Sequence, residues 1–149
     1  MPPPDKVEAK KIKEAQKAVH SEVKKLAKAT KTHVDEAKAL TKEKADLAKV
    51  KKPGPEDKKR GKLLDLRIKA IEKTCNGEAD ATAKRIDKLL KTYVPDDKEA
   101  QPRWQKGMDK WYVDMLKKEP GLGVGGGARV NGQISIKDKK AIIDITVIK

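Results

Sequence analysis

The sequence predicts a mainly α-helical protein with a small β appendage, an α+β fold. It comprises a long antiparallel helical hairpin, a third short helix, a glycine-rich hinge and a C-terminal β-hairpin or meander. Residues 5–50 contain no Gly or Pro and are dominated by Ala, Lys, Glu and Leu, which favour helix. Pro53, Gly54 and Pro55 then interrupt the chain before a second helical pattern. Residues 128–149 are rich in Ile and Val, which favour strands.

The composition predicts a thin hydrophobic core and an anionic partner. Charged residues make up 40% of the chain, hydrophobic residues only 36%, and there is no Phe. Globular domains usually hold about 45–50% apolar residues, so a chain of this kind tends to complete its core on a partner. The net charge of +14 favours nucleic acid, acidic protein surfaces or lipid headgroups, without choosing among them.

The first helix carries one apolar column that repeats every seven residues. The column consists of Ile12, Val19, Leu26, His33, Leu40 and Leu47. If this column is position d of a heptad, position a, which would face the same neighbouring helix, holds small or polar residues. This pattern predicts a narrow coiled-coil seam that suits one close neighbouring helix.

A second column on the same helix consists of lysines, and we refer to it as the lysine face. Its members are Lys10, Lys17, Lys24, Lys31 and Lys38. Seven helical residues rise about 10 Å, so the lysine face extends over roughly 40 Å. It is either a solvated outer surface or a binding face for phosphates. No sequence-reading nucleic-acid motif is present, so any nucleic-acid binding would be sequence-nonspecific.

Residues 1–94 are predicted to form one basic helical hairpin with its turn at residues 52–56. The apolar pattern of the second helix consists of Leu64, Ile68, Ile71, Cys75, Ala79, Ile86, Leu89 and Tyr93. Asn76 and Gly77 lie within this pattern. They leave open whether the second helix is continuous or breaks at that point.

Residues 95–120 are predicted to contain a third helix, which begins between Asp96 and Pro102 and ends near Lys118. Its stripe at helical spacing consists of Trp104, Met108, Trp111 and Met115. Such a stripe usually packs inward. The alternative is a protein interface, because Trp and Met are enriched at interface centres and this chain has little core of its own.

Residues 121–149 are predicted to form a glycine hinge followed by a β-hairpin or meander. Asn131–Gly132 predicts a two-residue hairpin turn, and residues 137–140 predict a second turn. The last strand is apolar on both faces and therefore needs cover on both, from this chain or from another subunit. Whether the strands pair within or between chains stays open. The predicted docking side chains of this strand are Ile143, Ile145 and Val147.

No enzymatic site, cofactor or metal is predicted. Gly121, Gly123 and Gly126 spell a formal G-x-G-x-x-G, but a phosphate-binding loop needs a strand before it and a helix after it, and here the order is reversed. His20 and His33 lie too far apart to share a metal. Cys75 falls in an apolar stripe with no activating His, which predicts a buried side chain rather than a nucleophile.

The function predicted first is a non-catalytic structural or adaptor component of a larger protein assembly. It would dock through the C-terminal strands and the Trp/Met helix onto other protein subunits or copies of itself. The alternatives are a nucleic-acid-associated protein that uses the lysine face, and a secreted effector or its delivery region. The N-terminus lacks a standard secretory signal and no apolar run could span a membrane, which predicts cytoplasmic synthesis. A virion or a secretion machine is a setting that would suit such a small basic component.

Overall fold

The computed structural model describes residues 4–123 and 127–148. The described chain folds into three helices followed by a two-stranded antiparallel sheet, and this confirms the predicted fold class. The elements are α1 Lys6–Ala48, α2 Pro55–Tyr93, α3 Gln101–Lys118, β1 Ala128–Ser135 and β2 Lys140–Val147.

Local sequence signals fix the ends of the first two helices. The Asp5 carboxylate accepts a 2.8 Å hydrogen bond from the Glu8 backbone N–H and so caps the start of α1. At the start of α2, the Asp57 carboxylate accepts from the Gly54 backbone N–H at 3.0 Å. Between its ends α2 is continuous through Asn76, which answers the question that the sequence left open.

α1 and α2 pack against each other along most of their length, but the seam does not follow the seven-residue column to its end. The first three members of that column are buried, whereas the last three are partly exposed. A straight α-helix drifts by about 20° per heptad, so the column rotates out of the contact. Val34 and Ala37 take its place. The buried positions of α1 are Ile12, Ala15, Val19, Val23, Leu26, Ala27, Thr30, Val34 and Ala37.

Three arginines of α2 form ion pairs with glutamates along one flank of α1. The pairs, with their N···O distances, are Arg85 with Glu22 at 2.7 Å, Arg67 with Glu36 at 2.8 Å and Arg60 with Glu43 at 2.8 Å. Residue numbers rise along one helix as they fall along the other, so the pairs fit the antiparallel register. Hydrogen bonds from Arg67 lower the pKa of Glu36 below its usual range. Because the pairs of Arg67 and Arg60 are solvent-exposed, they specify register more than they stabilise, and only Glu22 of the third pair is largely buried.

α3 packs its large side chains into the core that it shares with α1, α2 and the sheet. Trp104, Met108 and Met115 are buried as the stripe predicts. Tyr112, not Trp111, occupies the remaining buried position, and Trp111 is only partly buried. Successive helical positions differ by about 100° in direction, so only one of these two neighbouring aromatic side chains can point into the centre of the contact.

The Tyr112 hydroxyl is buried and has no hydrogen-bond partner among the described residues. Burial, with a smaller effect from the Asp87 carboxylate, raises the pKa of Tyr112 above its ordinary value of 10.0. The folded protein therefore holds this proton more tightly than the unfolded chain does. The resulting stability is complete below pH 10.0 and is lost as pH rises through the raised pKa.

We expect Tyr112→Phe to raise the free energy of unfolding by about 1 kcal/mol at neutral pH, because the variant removes a buried hydroxyl without a partner. It should also reduce the loss of stability at alkaline pH. Urea unfolding of both proteins at neutral and alkaline pH measures the two effects. A variant that is clearly less stable at neutral pH would show that the hydroxyl makes a bond in the folded protein.

The hairpin turn lies at residues 136–139, and the predicted turn at Asn131–Gly132 is wrong. β1 runs straight through Gly132, which pairs with Ile143. A Cβ atom on Gly132 would overlap the Leu116 side chain of α3, so this glycine permits a close contact between helix and strand. The second predicted turn is confirmed, and its Lys139 has a positive φ of 52°.

The two strands pair within the chain and bury one face. Inward side chains alternate with outward ones along β2, with Ile143 and Ile145 directed inward and Ile142 exposed, and Ile148 just after the strand is exposed as well. β2 lies along α2, and β1 lies along α3. The helices therefore cover the apolar face of the sheet. The outward face of β2 carries Lys140, Ile142, Asp144 and Thr146 and is exposed, so the prediction that β2 needs cover on both faces is wrong.

The described part of the glycine-rich segment passes close to α1. Gly121 has a φ of 83° and lies against the backbone carbonyl of Ala27. Gly127 has a φ of 138°, and a Cβ atom there would lie 3.0 Å from Val34 Cγ1. Gly126, the last glycine of the formal G-x-G-x-x-G, lies outside the described residues.

Candidate interaction surfaces

Side chains of α2 occupy the outer edge of β2. The Asn76 amide donates to the Ile145 carbonyl at 2.7 Å and accepts from the Ile145 N–H at 2.8 Å, as a neighbouring strand would. The Glu72 carboxylate accepts from the Val147 N–H at 2.9 Å. These bonds cover an edge that would otherwise be free to pair with another chain.

The same arrangement occurs at two further points of the sheet. Gln105 of α3 donates to the Ile134 carbonyl at 2.8 Å and accepts from the Ile136 N–H at 2.7 Å, next to β1. Asp87 of α2 accepts from the Ala141 N–H at 2.6 Å, near the start of β2. A partner strand would have to displace these side chains before it could pair with the sheet at these positions.

The residues predicted to dock onto a partner lie in the chain's own core. Ile143, Ile145 and Val147 are exposed by only 1%, 2% and 1%. The outward positions of β2 are Lys140, Ile142, Asp144 and Thr146, which are mostly polar, so the alternation along the strand marks the face with Ile143, Ile145 and Val147 as the covered one. An interface formed by these three side chains would require β2 to leave the core.

The predicted Trp/Met stripe is divided between the core and the surface. Trp104, Met108 and Met115 are buried within the chain. Trp111 packs against the core but keeps part of its surface accessible. Of this stripe, Trp111 offers the largest accessible surface for a contact with another molecule.

All five side chains of the lysine face are exposed, and none of them forms an ion pair with any described residue. Most acidic side chains that α1 directs toward its neighbours are already paired, as Glu22 is with Arg85 and Glu8 with Arg103. These pairs leave the five lysines of the lysine face without an ionic partner among the described residues.

A surface groove of ≈ 240 Å³ lies between α1 and α3 beside the lysine face. Its lining consists of Lys13, Gln16, Lys17, His20 and Trp111. No local sequence pattern predicts this groove, because the aromatic side chain and the lysines are about a hundred residues apart. Only the contact between α1 and α3 places them on one surface.

Two polar contacts between α1 and the α3 region fix the walls of this groove. The Gln16 amide donates to the Gly107 carbonyl of α3 at 2.9 Å. His20 contacts the Glu119 carboxylate just beyond the end of α3. Gly107 has no side chain, and a Cβ atom there would lie 3.2 Å from Ile12, so α1 and α3 approach closely. The relative positions of Lys17 and Trp111 are therefore set by the packing of two helices.

A separate apolar patch lies on the outer face of α2. Leu63 and Leu66 are 50% and 64% exposed. Lys62 and Lys69 are exposed on the same helix. The patch is apolar with basic neighbours.

The cysteine that the sequence singled out is not accessible. Cys75 is fully buried, and burial together with the nearby Glu72 and Glu78 carboxylates raises the pKa of its thiol. Such a thiol forms the reactive thiolate poorly. In the part of the chain that the structure describes, no group of three or more His, Cys, Asp and Glu side chains could hold a metal ion.

Comparison of the chain with protein-family models, curated protein sequences and solved structures finds no match. None of the helices within residues 4–123 and 127–148 is long and apolar enough to cross a membrane.

Proposed function

We propose that the chain is a non-catalytic protein that binds the phosphate backbone of nucleic acid through the lysine face of α1. The observation that carries the proposal is the separation of charge on this helix. Lys10, Lys17, Lys24, Lys31 and Lys38 are exposed and free of ion pairs with described residues, whereas the glutamates that face α2 are paired.

Phosphates are the favoured ligands because the lysine face is long and, at about 20° of drift per heptad, winds only gradually around α1. A row of ammonium groups over roughly 40 Å matches a linear polyanion better than it matches a compact anion. Lysine binds phosphate as a point charge and does not select bases. Binding through this face alone is therefore sequence-nonspecific.

The second candidate function is docking onto a protein partner, which the sequence favoured. The surface proposed for it here differs from the one that the sequence predicted. The C-terminal strands and most of the Trp/Met stripe are buried in the chain's own core. The exposed Leu63 and Leu66 favour instead a protein contact on the outer face of α2. Co-purification with and without nuclease separates the two functions. Partners that remain in stoichiometric amount after nuclease treatment support the protein contact, and partners that disappear support nucleic acid.

The direct test of the lysine face is to replace its five lysines with Gln. We expect the variant to bind a labelled DNA duplex at least about tenfold more weakly than the natural protein at roughly 0.1 M salt, because five phosphate contacts are lost. Fluorescence anisotropy measures the affinity. Far-ultraviolet circular dichroism shows that helix content is retained.

The matched control removes five exposed lysines from α2. These are Lys69, Lys73, Lys84, Lys88 and Lys91. Both variants lose five positive charges, so the attraction to DNA that comes from net charge falls equally in the two proteins. Equal loss of affinity in both variants would contradict the proposal, because binding would then depend on total charge and not on the lysine face.

A further inference from the structure

The groove between α1 and α3 combines the two elements that single-stranded nucleic acid needs. Trp111 of α3 supplies a partly exposed aromatic side chain, and Lys13 and Lys17 of α1 supply positive charge. A base that leaves its duplex stacks on an aromatic ring while its phosphate pairs with a neighbouring cation. Base-paired nucleotides cannot enter in this way, since their faces are already stacked.

We infer that this groove binds an unpaired base of single-stranded nucleic acid by stacking on Trp111, with Lys13 and Lys17 holding the adjacent phosphates. The inference rests on the proposed function and extends it, because it assigns a preference for single strands over duplexes. A volume of ≈ 240 Å³ accommodates one base. Lys17 belongs to both the groove and the lysine face, so a strand bound at Trp111 continues along the lysines of α1.

The geometry favours this ligand over other anions. An acidic peptide or a lipid headgroup would use Lys13 and Lys17 but would gain little from an aromatic face. The groove is also held in place by the Gln16 bond to Gly107 and the His20 contact with Glu119. A pre-formed wall lowers the cost of ordering side chains when the ligand binds.

Two substitutions at Trp111 test the inference. Trp111→Phe keeps an aromatic face, and Trp111→Leu keeps apolar packing against the core but removes the stacking surface. We expect the Leu variant to bind oligothymidylate about fivefold to a hundredfold more weakly, and the Phe variant to stay near the natural protein. Both variants should bind a DNA duplex like the natural protein. Thermal unfolding shows whether each variant is folded.

The possible outcomes separate this inference from the proposed function. If duplex and single strand both bind in a salt-sensitive way and Trp111→Leu weakens neither, the inference is overturned and the lysine face survives. If the natural protein binds neither, both fail. The inference would also be overturned if Trp111→Leu weakened binding to polyglutamate or to phosphatidylserine vesicles as much as it weakens binding to oligothymidylate. The groove would then not distinguish bases from other groups.

Intrinsic fluorescence gives a second readout in the natural protein. Trp104 is buried in the core and Trp111 is partly exposed, so a ligand at the surface affects mainly Trp111. Stacking of a base should quench this emission on addition of oligothymidylate. Inorganic phosphate at equal charge should leave the emission unchanged, and equal quenching by phosphate would contradict stacking.

Discussion

Gly121→Ala is expected to lower the free energy of unfolding by about 3 kcal/mol or more. The φ of 83° at Gly121 lies in the left-handed region that a residue with a Cβ atom adopts at a cost. The added Cβ would also overlap the backbone carbonyl of Ala27 on α1. A backbone atom in a long helix cannot move aside as a flexible side chain does, so the segment after α3 would separate from α1.

The matched control is Gly77→Ala on α2. Gly77 is exposed within a helix, and an added Cβ meets no other atom within 4 Å. Alanine there should raise stability by roughly 0.5–1 kcal/mol, the usual difference between Gly and Ala inside a helix. Urea unfolding of the two variants measures both effects. Similar stabilities for the two variants would show that Gly121 does not lie against α1.

Asn76→Leu is expected to lower the free energy of unfolding by about 2–4 kcal/mol. Its amide satisfies both the N–H and the carbonyl of Ile145, and leucine of similar size leaves both groups without a partner while it blocks water from reaching them. Asn76→Ala should cost less, because the space left by the amide admits water. Hydrogen exchange at the Ile145 amide should accelerate in both variants.

The control for this prediction is Asn131→Leu on the exposed face of β1. An exposed position of this kind usually changes stability by less than about 0.5 kcal/mol. A cost at Asn131 as large as that at Asn76 would contradict the role of the Asn76 amide as a substitute for a neighbouring strand.

The sequence was sufficient to predict the helices, because each has a clear period and clear ends. Pro53 and Pro55 stop α1 and start α2, and Asp57 lies in the first turn of α2. The predicted hairpin turn at Asn131–Gly132 is wrong, because Gly132 is compatible both with a tight turn and with a close contact. The position of Leu116 against Gly132 decides between these, and no local pattern contains that information.

The sites were harder to predict because they depend on contacts between distant residues. A polar residue within an apolar stripe, such as Asn76, left open only whether the helix breaks there, and its partner Ile145 lies 69 residues away. Trp111 and Tyr112 are adjacent, so a stripe read at helical spacing could not decide which of them is buried. By contrast, the lysine face could be predicted from the helical period alone. All five of its lysines are exposed, as that period predicts.

The most direct test of the account is the salt dependence of duplex binding by the natural protein and by the variant with all five lysines of the lysine face changed to Gln. Each phosphate contact contributes about 0.9 to the slope of log affinity against log salt concentration. We predict that the five-lysine variant has a slope shallower by about 3 or more, whereas the α2 control variant keeps nearly the natural slope. An unchanged slope in the five-lysine variant would contradict the proposed function.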